Sequence, residues 1–197
     1  MKATIHLSRV LLLALVLALA GCATISKVER GQQVVKDRLV VQLDGPWNQF
    51  DGTLAGTWPT WTVEGQTVDR LVFVVGLKDG GELAPPLPGA KDQRPLTFRA
   101  NMQPHEIVAL YQAFLTRDGS TFTLDKLEPV RFLEGSGFRF RFSVVRRFDD
   151  VRISGMGYAA VRGGELFAIV YSAPRLGFFP RYEAQIDKMA QSARLRG

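Results

Sequence analysis

Between Gly137 and Val145 the chain reads GFRFRFSVV. Phe138, Phe140, Phe142 and Val144 recur at every second position, with Arg139, Arg141 and Ser143 between them. A period of two is the signature of a strand whose successive side chains point to opposite faces. No helix segregates residues at that spacing, so this segment fixes a sheet with one apolar face that another layer must cover. The other face is basic and is expected to be solvated.

The neighbouring segments extend that sheet. STFTLDKLEPVRF precedes it, and DVRISGMGYAAV and ELFAIVYSA follow, the last two joined by Arg162-Gly163-Gly164, a tight hairpin signal. Earlier, DRLVVQL ends at a turn, Asp44-Gly45-Pro46, and TWTVEGQTVDRLVFVVGLKDGGEL reads as two strands turning at Glu64-Gly65. Pro104 opens a helix carrying Ile107, Tyr111, Phe114 and Leu115 on one face with Val108 beside them, and Asp118-Gly119 closes it. Phe179-Pro180 opens a second, with Tyr182, Ile186, Met189, Ala190 and Ala193 as its core stripe. Arg194 and Arg196 are expected at its C-terminal end, where cations complement the helix dipole. Strands, helix, strands, helix with hairpin-length links predict an α+β domain: an antiparallel β-sheet with two main helices packed on it as a layered sandwich. This order resembles the sandwich of the photosystem II PsbP subunit and its bacterial relatives, a likeness of fold that carries no function.

The N-terminus sets the address. Lys2 and Arg9 precede an uncharged apolar run, Val10–Ala20. Eleven helical residues cover roughly 16 Å, about half a bilayer core, so the run suits the apolar region of a secretory signal peptide rather than a membrane span. Leu19-Ala20-Gly21-Cys22 resembles the lipobox of bacterial lipoproteins, in which the cysteine thiol takes a diacylglycerol and the peptide bond before it is then cut. Cys22 is the single cysteine of the chain, so no disulfide competes for it. The resemblance implies a membrane anchor of two or three acyl chains, which holds permanently. Ala23 stands where an aspartate favours inner-membrane retention in the enterobacterial sorting rule, which implies the outer membrane. The expected organisation is a signal peptide over 1–21, a lipidated N-terminus and tether over 22–36, and a single domain over 37–197. Cleavage removes Lys2 and Arg9 and no acid, lowering the formal charge from +6 to +4. That balance is too mild for a dedicated nucleic-acid binder.

PWNQF, WTVEGQTVDRLVFVVGLKDGGEL, RPLTFRANM, GFRFRF and LFAIVYSAP, in that order, resemble the blocks of a group of uncharacterised proteobacterial lipoproteins. The group's usual aspartate before the glycine turn is replaced here by Glu64. The resemblance spans nearly the whole mature chain and implies localisation and fold, with no activity, ligand or catalytic residue attached.

Searching for chemistry returns little. HEIVA at His105 begins like a zinc-protease helix, but Ala109 occupies the position of the second histidine. Gly155–Ala160, GMGYAA, matches G-x-G-x-x-A only formally: a strand follows rather than a helix, so a bulge or close strand packing accounts for the glycines better. No serine sits in a nucleophile elbow. No catalytic residue, metal ligand or cofactor is therefore assigned. Arg139 and Arg141, with nearby arginines, read either as contacts to anionic lipid or an acidic partner or as a solvated sheet face. Trp47, Trp58 and Trp61 read either as a groove for a sugar or peptide or as a cover over one end of the core. The expected function is a non-enzymatic binding or scaffolding module of the envelope, anchored at Cys22, with an envelope protein or anionic lipid as partner. The alternative is an envelope hydrolase using carboxylates from distant parts of the chain.

Lipidation is directly testable. Metabolic labelling with a fatty acid is expected to mark the wild-type protein and not Cys22→Ala; equal labelling of both would contradict it.

Overall fold

Hairpins assemble most of the sheet. The computed structural model describes residues 25–50, 57–86 and 95–197. The segment expected to be a signal peptide, 1–21, and Cys22 lie outside them. In chain order the elements are β1 (Ile25–Val28), β2 (Gly31–Val35), β3 (Leu39–Leu43), β4 (Trp47–Phe50), β5 (Thr60–Thr62) and β6 (Arg70–Lys78). Then come α1 (Pro104–Leu115), β7 (Thr121–Phe132), β8 (Gly135–Val145), β9 (Arg152–Arg162), β10 (Glu165–Pro174), α2 (Phe179–Ser192) and β11 (Arg194–Leu195). An eight-stranded sheet runs β1-β4-β5-β6-β10-β9-β8-β7, and a three-stranded sheet runs β11-β3-β2. All pairings among the described residues are antiparallel. The α+β class and its antiparallel sheet with two helices are as the sequence predicts.

Two apolar cores flank the large sheet. Leu71, Phe73 and Val75 of β6 join Phe167, Ile169 and Tyr171 of β10 beneath α2 and the small sheet. Val74, with Ala168 and Val170, turns the other way toward α1. The alternation shifts where Gly76, at φ +69°, faces the irregularity between Leu166 and Phe167, and Leu77 then joins the α1 side. A Cβ on Gly76 would lie 2.1 Å from the Arg38 guanidinium. That guanidinium donates to Glu165 at 2.5 Å and lies 5.1 Å above the Phe167 ring, tying the β2–β3 turn to the large sheet.

The phenylalanine row of β8 is explained by its partner strand. Phe138, Phe140 and Phe142 stand opposite Ala159, Gly157 and Gly155 of β9. A Cβ on Gly155 would meet the Phe142 ring at 2.0 Å, and one on Gly157 would meet the Phe140 ring at 2.3 Å. The rings therefore lie over the glycines, and the GMG sequence serves close strand packing. Each buried phenylalanine contributes about 1.5–3 kcal/mol, more than an exposed ion pair at about 0–1 kcal/mol, so this packing rather than surface charge sets the pairing of the two strands.

Three expectations need correction. Residues 25–35 are not tether: β1 pairs with β4 and β2 with β3, so ordered structure begins by Ile25 rather than at residue 37. The mixed polarity of this segment is that of edge strands, each with one side to solvent. The arginine face of β8 is not solvated, because α2 packs over it. Arg194 is not in the second helix, which ends at Ser192; it pairs with Val40 in β11.

Gly155→Ala is expected to lower stability by about 2 kcal/mol through overpacking, a fall of about 4–8 °C in melting temperature. Gly45→Ala, whose Cβ would meet nothing closer than 3.6 Å, is the control. Equal melting temperatures for both variants would contradict the ring-on-glycine packing.

Candidate functional site

Val72 and Val74 follow Arg70 at two-residue steps, so all three share the face of β6 that looks toward α1. With Val170 of β10 and Phe142 of β8 the valines floor a cleft of about 350 Å³; Tyr111, Phe114 and Leu115 of α1 roof it, and Trp58 and Leu83 close one side. Helix α1 is held by Pro104 in its first turn and by Glu106, whose carboxylate accepts the Gln103 N–H at 2.7 Å. Ile107, Val108 and Tyr111 are buried, and Tyr111 packs 5.7 Å from Phe140. Phe114 stays 41% exposed, at the lip of the cleft. The volume lies in the range of small-molecule sites, about 300–1,000 Å³.

A second, wider cleft of about 650 Å³ continues from the first, sharing Gln66, Arg70, Leu115, Phe142 and Ser172 with it. Its far end carries Arg146, Asp149 and Phe148, the last 77% exposed. Arg146 donates to both carboxylate oxygens of Asp149, at 2.9 and 2.6 Å.

Arg70 stands at the junction of the two clefts. Its Nε donates to the Gln66 carbonyl at 3.0 Å, and no carboxylate pairs with it among the described residues. Arg70 is exposed, and the protein around it and then the nearby Arg146 charge hold its pKa below the ordinary arginine value. It remains a cation at neutral pH. Tyr111 also lines the first cleft, beside Thr60, Gln66 and Ser172. Its hydroxyl is buried without a hydrogen-bond partner among the described residues, and burial pushes its pKa up.

The tryptophans do not form one groove. Trp47 and Trp61 belong to the core beneath α2, Trp47 edge-on to Tyr171 at 6.2 Å and Trp61 at 4.5 Å from Phe73. Trp58 alone of the three lines the cleft, its indole N–H donating to the Leu83 carbonyl at 2.7 Å and Lys36 lying 5.1 Å from its ring centre.

Nor do Arg139 and Arg141 present a free cationic face. The Arg139 side chain is 18% exposed and reaches Asp187 at 3.0 Å, Glu128 at 3.6 Å and Glu183 at 3.8 Å. Arg141 donates to Glu183 and lies 5.8 Å from the Phe179 ring centre. Tyr158 adds a hydroxyl bond to Asp187 at 2.5 Å. The carboxylates that meet here are bridged by guanidinium groups, as in a structural clamp between α2 and the sheet.

Other carboxylates are equally committed. Buried Asp69 accepts the Thr62 hydroxyl and the N–H groups of Val63 and Glu64 at 3.0 and 2.8 Å, which closes the β5–β6 turn and accounts for the WTVEG block structurally. Glu64 accepts from Arg181 at 2.7 Å and from the Tyr182 hydroxyl at 2.5 Å. No acid among the described residues lines the first cleft. In the second, the Ser120 N–H holds Asp118 and the Arg146 guanidinium holds Asp149 below the usual carboxylate range, the reverse of what a general acid requires. His105 is exposed in the first turn of α1.

Arg70 and Tyr111 were not singled out in the sequence. Arg70 reads as an ordinary charge at the start of an apolar strand, and Tyr111 as one more member of a core stripe. The available signal is that Arg70 shares a strand face with Val72 and Val74.

No protein-family profile matches the chain, and no curated protein matches its sequence. Among solved structures it is similar to a cyanobacterial PsbP from Synechocystis, with 12% identity, 90% of this chain and 96% of that one covered, and a TM-score of 0.57. That likeness shows the fold. LpqN of Mycobacterium tuberculosis, a protein involved in cell envelope biogenesis, aligns over 91% of this chain and 88% of its own at 8% identity and a TM-score of 0.36.

Proposed function

We propose that this chain is a non-enzymatic binding module of the bacterial envelope, held at the outer membrane by lipidated Cys22 and taking an apolar ligand in the cleft beneath α1. The observation that carries the binding assignment is the cleft itself: about 350 Å³ lined by Val72, Val74, Val170, Phe142, Phe114 and Trp58, with no acid in its wall among the described residues. A cavity of this kind with one cation and a few hydroxyls orients a ligand and has no group suited to breaking its bonds. Support for the envelope assignment is the charged N-terminus, the eleven-residue apolar run and Leu19-Ala20-Gly21-Cys22. Among the described residues no helix is long and apolar enough to cross a membrane, so an anchor at Cys22 would carry the attachment unaided by a helical span. An anionic lipid or an envelope protein remains the class of partner, with the cleft, rather than Arg139 and Arg141, as the place where it is met.

The test uses the processed protein carrying Cys22→Ser and the neutral probe N-phenylnaphthylamine. Wild-type protein is expected to enhance its fluorescence saturably. Val72→Phe, which fills the cleft floor, is expected to weaken binding about tenfold or more, a loss of about 1.4 kcal/mol, while the melting temperature is kept. Absence of saturable binding, or equal binding by the variant, would contradict the assignment.

A further inference from the structure

We infer that the ligand of the cleft is a single-chain amphiphile with an anionic head, the chain lying beneath α1 and the head at Arg70. This rests on the cleft being a binding site, and it adds the chemistry of what is bound. Three observations converge. The first cleft is apolar along its floor and roof, through Val72, Val170, Phe142 and Phe114. Arg70, an exposed residue, lines both clefts where they meet, and no carboxylate among the described residues pairs with it. The neighbouring Arg146 is already held by Asp149 through two hydrogen bonds, so Arg70 is the cation left for a ligand at that junction.

A carboxylate or phosphate oxygen accepts from the guanidinium in a charge-assisted hydrogen bond, stronger than a neutral one. A purely apolar ligand would make no use of the Arg70 charge. A small free anion would leave the valine and phenylalanine walls empty. Carboxylate and phosphate heads share the recognising chemistry, and they are separated by experiment.

The experiment compares cis-parinaric acid with its methyl ester, which has the same chain and no charge, on the processed protein carrying Cys22→Ser. The acid is expected to bind about tenfold or more tightly than the ester. Arg70→Gln is expected to bring the acid down to the affinity of the ester and to leave the ester unchanged, while Arg70→Lys restores part of the preference. Dodecyl phosphate and dodecanoate, as competitors, rank the two heads; inorganic phosphate alone is expected not to displace the probe. Equal affinity for acid and ester in the wild type, a preference that survives Arg70→Gln, or displacement by inorganic phosphate alone would each overturn the inference. If ester and N-phenylnaphthylamine bind but the acid gains nothing, the cleft stands as a binding site and the anionic head is refuted. If no probe binds, the cleft assignment fails and this inference with it.

Discussion

Phe140 and Phe142 lie across Gly157 and Gly155 of the adjacent strand, and much of the molecule is arranged around that contact. The positions opposite the rings have no side chain, so the rings lie flat and form a smooth face. They stack at 5.9 Å, and Phe122 of β7 continues the row at 5.3 Å from Phe142. Helix α1 rests on this face through Tyr111. The cleft exists because Phe142 is kept down: a side chain at Gly155 would push its ring upward into the space that Leu115 and Val170 border. A packing requirement between two neighbouring strands thus becomes the floor of the cleft.

Charge is used differently on the two faces of the sheet. Beneath α2, Arg139 and Arg141 face Glu128, Glu183 and Asp187, and the group fastens the helix to β8. Taking such charges out of water is costly, and the cost is offset only where each ion finds partners; here acids and guanidinium groups interlock. On the α1 side Arg70 has no such acid. Of the two arginines that line the clefts, Arg146 is paired with Asp149 and Arg70 has no carboxylate partner among the described residues.

Much of the architecture was legible in the sequence, because strands and amphipathic helices carry their periodicity openly. The alternation from Phe138 to Val144, the Gly163-Gly164 hairpin and the helix opened by Pro104 all appear where the pattern puts them. The pattern failed where a second layer overrides it. Arg139 and Arg141 read as a solvated face because period two says which residues share a side and nothing about what covers it. The segment around β1 and β2 read as tether because edge strands bury too little to show an apolar run. The tryptophans cluster in sequence, yet Trp47 and Trp61 point to one side of the sheet and Trp58 to the other. The cleft was invisible for a related reason: Arg70, Trp58, Tyr111 and Phe142 come from separate elements, and only their pairing in space makes a wall.

The claim on which these conclusions turn is that the space between α1 and β6 receives a chain and that Arg70 receives its head. Crystallography of the processed protein with an ω-bromo fatty acid tests it most directly, since the bromine marks the chain end by anomalous scattering. The expected result is a bromine peak between α1 and the sheet, with continuous density from it to a carboxylate on Arg70. Bromine peaks confined to the outer surface, with the cleft empty, would contradict it.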